Sequence, residues 1–179
     1  RRSSFPMEYN GEKIDDGIVL KLLENANWAP NHGRTEPWRF KVFKGSALMA
    51  LTEFQAGLYK ENTPLELFSQ SKYDRFFEKA RRTSHLIAIC MQKDTRGKIP
   101  EVEEVEAVAC AVQNIYLSLE PYGLRGYWSS GGGTYTEALH SYLKLTATQQ
   151  CLGFFYLGMS DQPLRDGKRG DINEKIEWL

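Results

Sequence analysis

Ala29-Pro30-Asn31-His32-Gly33-Arg34-Thr35-Glu36-Pro37-Trp38-Arg39-Phe40 is the stretch on which the reading of this chain turns. Two prolines and a glycine among polar residues cannot continue a helix or fill a core strand. Upstream, Ile18, Leu22, Leu23 and Ala26 recur at helical spacing behind Asp15 and Asp16, either of which suits an N-cap, and Pro30 ends the helix. Downstream, Arg39-Phe40-Lys41-Val42-Phe43 alternates as a strand with one covered face. A donor-rich loop between two packed elements is where a rigid scaffold presents binding groups.

Outward from this loop, residues 46–55 read as a helix, 57–71 as loop without clear periodicity, and 73–83 as a charged helix. Leu86-Ile87-Ala88-Ile89-Cys90-Met91 is a continuous apolar run, a strand covered on both faces. From Pro100 to Glu120 a long helix is expected, with glutamates in its first turn and Pro121 after its end. Val105, Val108, Ala109, Val112, Tyr116 and Leu119 form one apolar stripe on it, and Val102, Ala107, Ala111 and Ile115 a second. Such a helix must be covered twice, as the centre of its own domain or by a partner subunit. Residues 126–129 suggest a short strand, 136–143 a short helix and 152–158 another central strand. The polar tail from Asp161 ends in Ile172, Ile176, Trp178 and Leu179, which need a surface to rest on.

The 179 residues, 41% hydrophobic, make one domain of ordinary size spanning 1–179. Lys plus Arg and Asp plus Glu both total 23. The zero net charge removes any global electrostatic case for nucleic acid or an anionic membrane, and leaves association of copies unopposed. Cys90, Cys110 and Cys151 are far apart in apolar company, so buried, reduced thiols of a cytoplasmic protein are expected, with no zinc site. No apolar run is long enough for a bilayer helix and no signal peptide is evident. The chain opens at Arg1 rather than at a methionine, so preceding residues are expected in the full-length protein.

Phosphate-loop, dinucleotide-fingerprint, HExxH and GxSxG motifs are missing. His32, His85 and His140 are isolated from one another; His85 reads as structural, and His140 as a cap or a solvent-facing side chain. Without a nucleophile, metal or paired-carboxylate signature, chemistry here belongs to a cofactor. Arg1-Arg2-Ser3 offers two guanidinium forks and a hydroxyl suited to a phosphate, although an Arg pair alone is also an ordinary basic terminus. Ser129-Ser130-Gly131-Gly132-Gly133 would let backbone N–H groups approach a planar ring closely, or simply turn the chain.

In order and spacing, Arg1-Arg2-Ser3, Ala29-Pro30-Asn31-His32 with Glu36-Pro37-Trp38, and Ser129 to Gly133 together resemble the nitroreductase family of flavin enzymes, over most of the chain and least in its middle. The resemblance implies an α+β fold, a central, mostly antiparallel sheet flanked by helices, in an intertwined homodimer whose C-terminal segments embrace the partner. It implies FMN at the subunit interface, held by Arg1, Arg2, Ser3, Ser130, Gly131, Gly132 and Arg169, with Lys168 second to Arg169. His32 would reach the cofactor bound mainly by the other subunit. NAD(P)H would deliver hydride and leave, and a nitroaromatic, quinone or similar acceptor would follow in a ping-pong cycle with no catalytic side chain. Storage or sensing of FMN, or oxidation of a specific metabolite, are alternatives. Three departures stand out: the family's first helix is missing ahead of Arg1, Glu36 replaces a neutral residue, and Arg125 replaces a small one, where it would reach a pyridine nucleotide or solvent.

Overall fold

The computed structural model describes all of residues 1–179. Four apolar segments become strands: β1 (Trp38–Lys44), β2 (His85–Gln92), β3 (Arg125–Ser129) and β4 (Gln149–Gly158). They form one antiparallel sheet in the order β1-β2-β4-β3. β2 is central, and every residue in it except Gln92 is buried, which explains its unbroken apolar run. A bulge between Ile89 and Cys90 breaks the β2–β4 register and leaves Leu152 without a partner.

Helices cover both faces of the sheet. On one lie α1 (Asp16–Ala26) and α4 (Glu101–Ser118), whose Leu22, Ala26, Val108 and Val112 pack on Ile87, Ile89 and Phe155. The other face carries α2 (Gly45–Glu61), α3 (Gln70–Arg82) and α5 (Glu137–Tyr142), with Leu48, Leu51, Ala80 and Leu139 around Ala88 and Phe154. This is the layered α+β arrangement expected from the sequence. Asp15 caps α1 by accepting from the Gly17 N–H at 2.8 Å, and Pro30 lies beyond its end, as read.

Two expectations change, the end of α2 and the burial of Cys110, and one open alternative is decided. α2 does not stop near Gln55 but runs through Gly57 to Glu61. A side chain at Gly57 would meet open space, so this glycine leaves no packing defect and costs only about 1 kcal/mol of propensity, while Gln55 and Ala56 are buried. The apolar stripes of α4 are covered within the chain, one of the two alternatives read from the sequence, Val108 and Val112 by the sheet and Ala107, Ala111 and Ile115 within the same core, except that Val102 is exposed. α1 lies alongside, tied by Asn114 Nδ2 to the Asn25 carbonyl at 3.1 Å and by Asn25 Nδ2 to Ser118 Oγ at 2.9 Å. A third face of α4, carrying Val102, Cys110 and Leu117, is left exposed. Cys110 therefore departs from the expected set of buried thiols; Cys90 and Cys151 follow it, facing each other across β2 and β4. A hydrogen bond shared with Cys151, together with burial, pushes the Cys90 thiol up.

Candidate functional site

The N-terminal triplet is held against the end of β3 by Tyr116, a residue that the sequence placed only in an apolar stripe. The Ser4 N–H donates to the Gly126 carbonyl at 3.0 Å and so lays the segment along the sheet edge. The Trp128 N–H donates to the Tyr116 hydroxyl at 2.8 Å, leaving its O–H free to donate to Ser3 Oγ at 3.1 Å. Arg1 places its guanidinium carbon 4.9 Å from the Tyr116 ring centroid and reaches Ser3 Oγ at 3.5 Å. Residues more than a hundred positions apart are thereby joined.

Ser129 and Ser130 follow directly and wall a hollow of about 330 Å³ with Val105, Trp128, Tyr135 and Leu152. Leu152 lies at the break in register. Gly153, at φ 135°, lets Ser129 and Trp128 close over β4: a Cβ there would stand 2.7 Å from both the Ser129 carbonyl and Trp128 Nε1. The glycine run divides by purpose. Gly132 and Gly133 have left-handed φ of 69° and 75° and back onto Gln55 and Leu58 of α2, so turning and packing already demand them. Gly131 is different: its only neighbour within van der Waals reach is Ser129 Oγ at 3.4 Å.

Arg2 lies under the C-terminal segment, where a Cβ on Gly167 would sit 2.7 Å from Arg2 Nη1. Arg2 Nε is buried without a hydrogen-bond partner. Leaving such a donor unmatched is costly, and a bound anion would satisfy it. Arg169 lies two positions beyond Gly167 and donates to its neighbour's carbonyl at 2.8 Å. Arg125 does not reach into the hollow. It donates to the Gly123, Leu124 and Gln162 carbonyls and pins the start of the tail.

His32 is not beside these groups. Its Nδ1 is 2.6 Å from Glu103 Oε2 in the first turn of α4, whereas Tyr116 is in the last. The thirteen helical steps from Glu103 to Tyr116 put the two ends about 20 Å apart along the helix axis. The loop is stiff: Arg34 and Glu36 are held at φ 54° and 43°, left-handed values uncommon outside glycine, and the Glu36 N–H donates to Asn31 Oδ1 at 3.1 Å. Trp38 is a core anchor, donating to Asn27 Oδ1 at 2.9 Å. His85 is buried, bonded to Ser84 Oγ and Asp16 Oδ1, both at 3.0 Å, and His140 meets the Thr146 carbonyl at 3.1 Å. Both have structural roles.

The nitroreductase family model matches residues 1–159. "Putative NAD(P)H nitroreductase YfhC" of Bacillus subtilis is 24% identical over 170 residues, covering 94% of this chain and 86% of that protein. A nitroreductase-like family protein from Bacillus cereus superposes with a TM-score of 0.84 at 26% identity, covering 100% of this chain and 91% of that one. A Desulfovibrio desulfuricans protein described as "a putative nitroreductase in complex with FMN" gives a TM-score of 0.74 at 21% identity, covering 97% of this chain and 90% of that one, which speaks for the fold. With the family model matched from Arg1 to beyond the last strand, the chain belongs to the nitroreductase family.

Proposed function

We propose that this protein is an FMN-dependent oxidoreductase that takes electrons from a reduced pyridine nucleotide and passes them to small acceptors such as nitroaromatics or quinones, in a ping-pong cycle. The observation that carries this reading is the junction at Tyr116, which ties Arg1 and Ser3 to Trp128, itself a wall of the hollow that Val105 and Leu152 also line. The donor set fits the cofactor. Arg1, Arg2 and Ser3 suit its phosphate, and the buried Nε of Arg2 awaits an acceptor. Val105, Trp128 and Leu152 supply apolar cover for a ring, while Ser130 and the open side of Gly131 allow backbone approach. Arg169 and Lys168 are proposed to close on the phosphate from the tail. When bound, the flavin supplies the hydride chemistry; the residues here bind, orient and exclude water.

His32 is proposed to act in the second copy of a homodimer. Within its own chain it stands about 20 Å along α4 from the triplet, so a two-fold axis near the middle of α4 would bring each His32 to the partner's triplet. The exposed Val102, Cys110 and Leu117 on that helix, with Trp28, suit such an axis, and the exposed Ile172, Ile176, Trp178 and Leu179 suit a tail that wraps the partner. No helix is long and apolar enough to cross a membrane; a cytoplasmic location is proposed from the reduced thiols.

Anaerobic titration tests the reading. Purified protein should carry a flavin spectrum that NADH or NADPH bleaches and a quinone or nitroaromatic restores. A flavin that neither nucleotide bleaches would instead indicate storage or sensing, and a protein that stays colourless after incubation with FMN would overturn the proposal.

A further inference from the structure

The loop that carries His32 also walls a separate cleft of about 610 Å³, where β1 begins and β2 ends, with no hydrophobic side chain in its lining. Arg34, Arg39, Lys93 and Arg96 face it with Asp94 and Glu104. Two of the four cations are already matched. Lys93 pairs with Glu101 at 2.8 Å, and Arg96 Nε with Asp94 Oδ1 at 2.8 Å. The Arg96 guanidinium, aided by the Lys98 and Arg96 backbone N–H groups, holds the Asp94 carboxyl down at about 2, so Asp94 is ionised and fully engaged.

Arg34 and Arg39 have no carboxylate partner. Arg39 donates only to the Glu36 and Trp38 carbonyls, at 2.8 and 2.7 Å, and the strained backbone of Arg34 holds that side chain at the rim. The second unmatched feature is an acceptor. Glu104 is only 1% exposed; its Oε2 accepts from the Asp94 N–H at 2.9 Å, but Oε1 is buried with no partner. Two guanidiniums without a counter-charge, lining one cleft with an unsatisfied carboxylate oxygen, select a ligand that carries both a dianion and a hydroxyl donor. A bare polyanion would be repelled by Glu104, and a neutral sugar would leave both arginines unmatched.

We propose that this cleft binds the phosphorylated ribose of NADPH, with Arg34 and Arg39 on the 2′-phosphate and Glu104 accepting from the adjacent ribose hydroxyl. The inference rests on the reading that a pyridine nucleotide is the electron donor, and specifies which one. Calorimetric titration of the purified protein with 2′,5′-ADP, 5′-AMP and inorganic phosphate tests it without turnover. 2′,5′-ADP should bind at least tenfold more tightly than either control. Arg34→Ala, whose side chain makes no hydrogen bond to lose, should erase that preference, and Arg39→Lys should weaken it while keeping the charge. The ratio of NADPH to NADH affinity in flavin bleaching should fall about tenfold in both variants. Equal binding of 2′,5′-ADP and 5′-AMP, phosphate binding as tightly as 2′,5′-ADP, or a preference that survives Arg34→Ala would each overturn the assignment. A strong 2′,5′-ADP preference in a protein that no nucleotide reduces would uphold the cleft and overturn the reductase reading; bleaching without that preference would do the reverse.

Discussion

The triplet at Arg1–Ser3 and the loop at His32 are built on opposite plans. The triplet is woven into its own chain: Ser4 bonds β3, Ser3 bonds Tyr116, Tyr116 bonds Trp128, and the hollow beside them is backed by the sheet core. The His32 loop touches the body at few points, chiefly the His32–Glu103 contact and the approach of Gly33 to Ile99 and Arg96. The first cluster is thus built within one chain, and defects in its backbone packing should register in the stability of that chain. The second walls the polar cleft and touches the body lightly, so its defects should register less in stability than in binding.

The sharpest way to break that contrast is to strike a glycine in each region. Gly153→Ala forces a Cβ to within 2.7 Å of Ser129 O and Trp128 Nε1, at a φ of 135° that a side chain rarely adopts. A loss of about 3 kcal/mol is expected from strain and overpacking, with a fall in melting temperature of about 10 °C and loss of flavin. Gly33→Ala, at φ 61° with Ile99 Cδ1 at 3.1 Å, should cost only about 1 kcal/mol, because Ile99 is flexible and partly exposed. Thermal melts of the two apo variants decide. Equal losses would mean that the His32 loop is as integral to the fold as the triplet.

Ligand contact is the next largest effect. Arg2→Ala removes charge-assisted bonds worth roughly 1.5–3 kcal/mol without touching the core, so FMN should bind about ten- to a hundredfold more weakly while the apo melt holds. Gly131→Val complements it. Only Ser129 Oγ lies near that position, so the apo chain should tolerate the substitution and a bound ring should not. Fluorescence titration with FMN checks both variants. Undiminished binding in Arg2→Ala would remove the triplet from the site, and undiminished binding in Gly131→Val would move the ring elsewhere.

Much of the fold was legible because its elements are local. The capped α1, the apolar β2 and the loop between Pro30 and Pro37 each follow from residue types within a dozen positions. What stayed hidden is what depends on distant neighbours. Tyr116 fits an apolar stripe by spacing, and nothing local announces that its hydroxyl will meet Ser3 and Trp128. The segment from Gly57 reads as loop, but α2 continues to Glu61 because its opposite face is buried. The glycine run reads as one ligand loop, although α2 claims Gly132 and Gly133. The cleft around Arg34 and Glu104 collects residues from the loop, β1, β2 and α4, none a motif by itself. The exposed face of α4 was masked by two better stripes beside it.

Whether the two regions meet across a dimer can be tested by mixing copies. In chains carrying both halves in trans, Arg2→Ala and His32→Ala subunits should each bind FMN weakly alone, His32→Ala by the smaller factor. A mixed dimer of the two carries one site with both changes and one with neither, so mixing should restore tight flavin binding to a fraction of sites. Leu117→Asp, on the exposed face of α4, should prevent the rescue by blocking association while leaving the monomer core intact. Labelling of Cys110 by a bulky maleimide reports on the same face, and should slow as protein concentration rises. No rescue on mixing, with dimers demonstrated by sedimentation, would place His32 outside the site.

The smallest effect concerns what steadies the His32 loop. Gly33 approaches Ile99 and Arg96, and that stretch is itself pinned by Asp94, which accepts from the Lys98 and Ile99 N–H groups at 3.0 and 3.3 Å and pairs with Arg96. Arg96 beside it lowers the Asp94 carboxyl to about 2, below its ordinary value near 3.8. A depressed folded-state pKa means that the unfolded chain takes up the proton first as pH falls. The contribution of Asp94 is therefore present in full above about pH 4 and is lost between there and about pH 2. Asp94→Asn should lower stability modestly at neutral pH, with the gap to the wild type closing across that acid window, as followed by urea unfolding at fixed pH. The triplet region has no such carboxylate, so Arg2→Ala should show no closing gap. A difference between Asp94→Asn and wild type that persists unchanged down to pH 2 would mean that the Arg96–Asp94 pair does not hold the loop, and that its stiffness comes from the backbone at Arg34 and Glu36 instead.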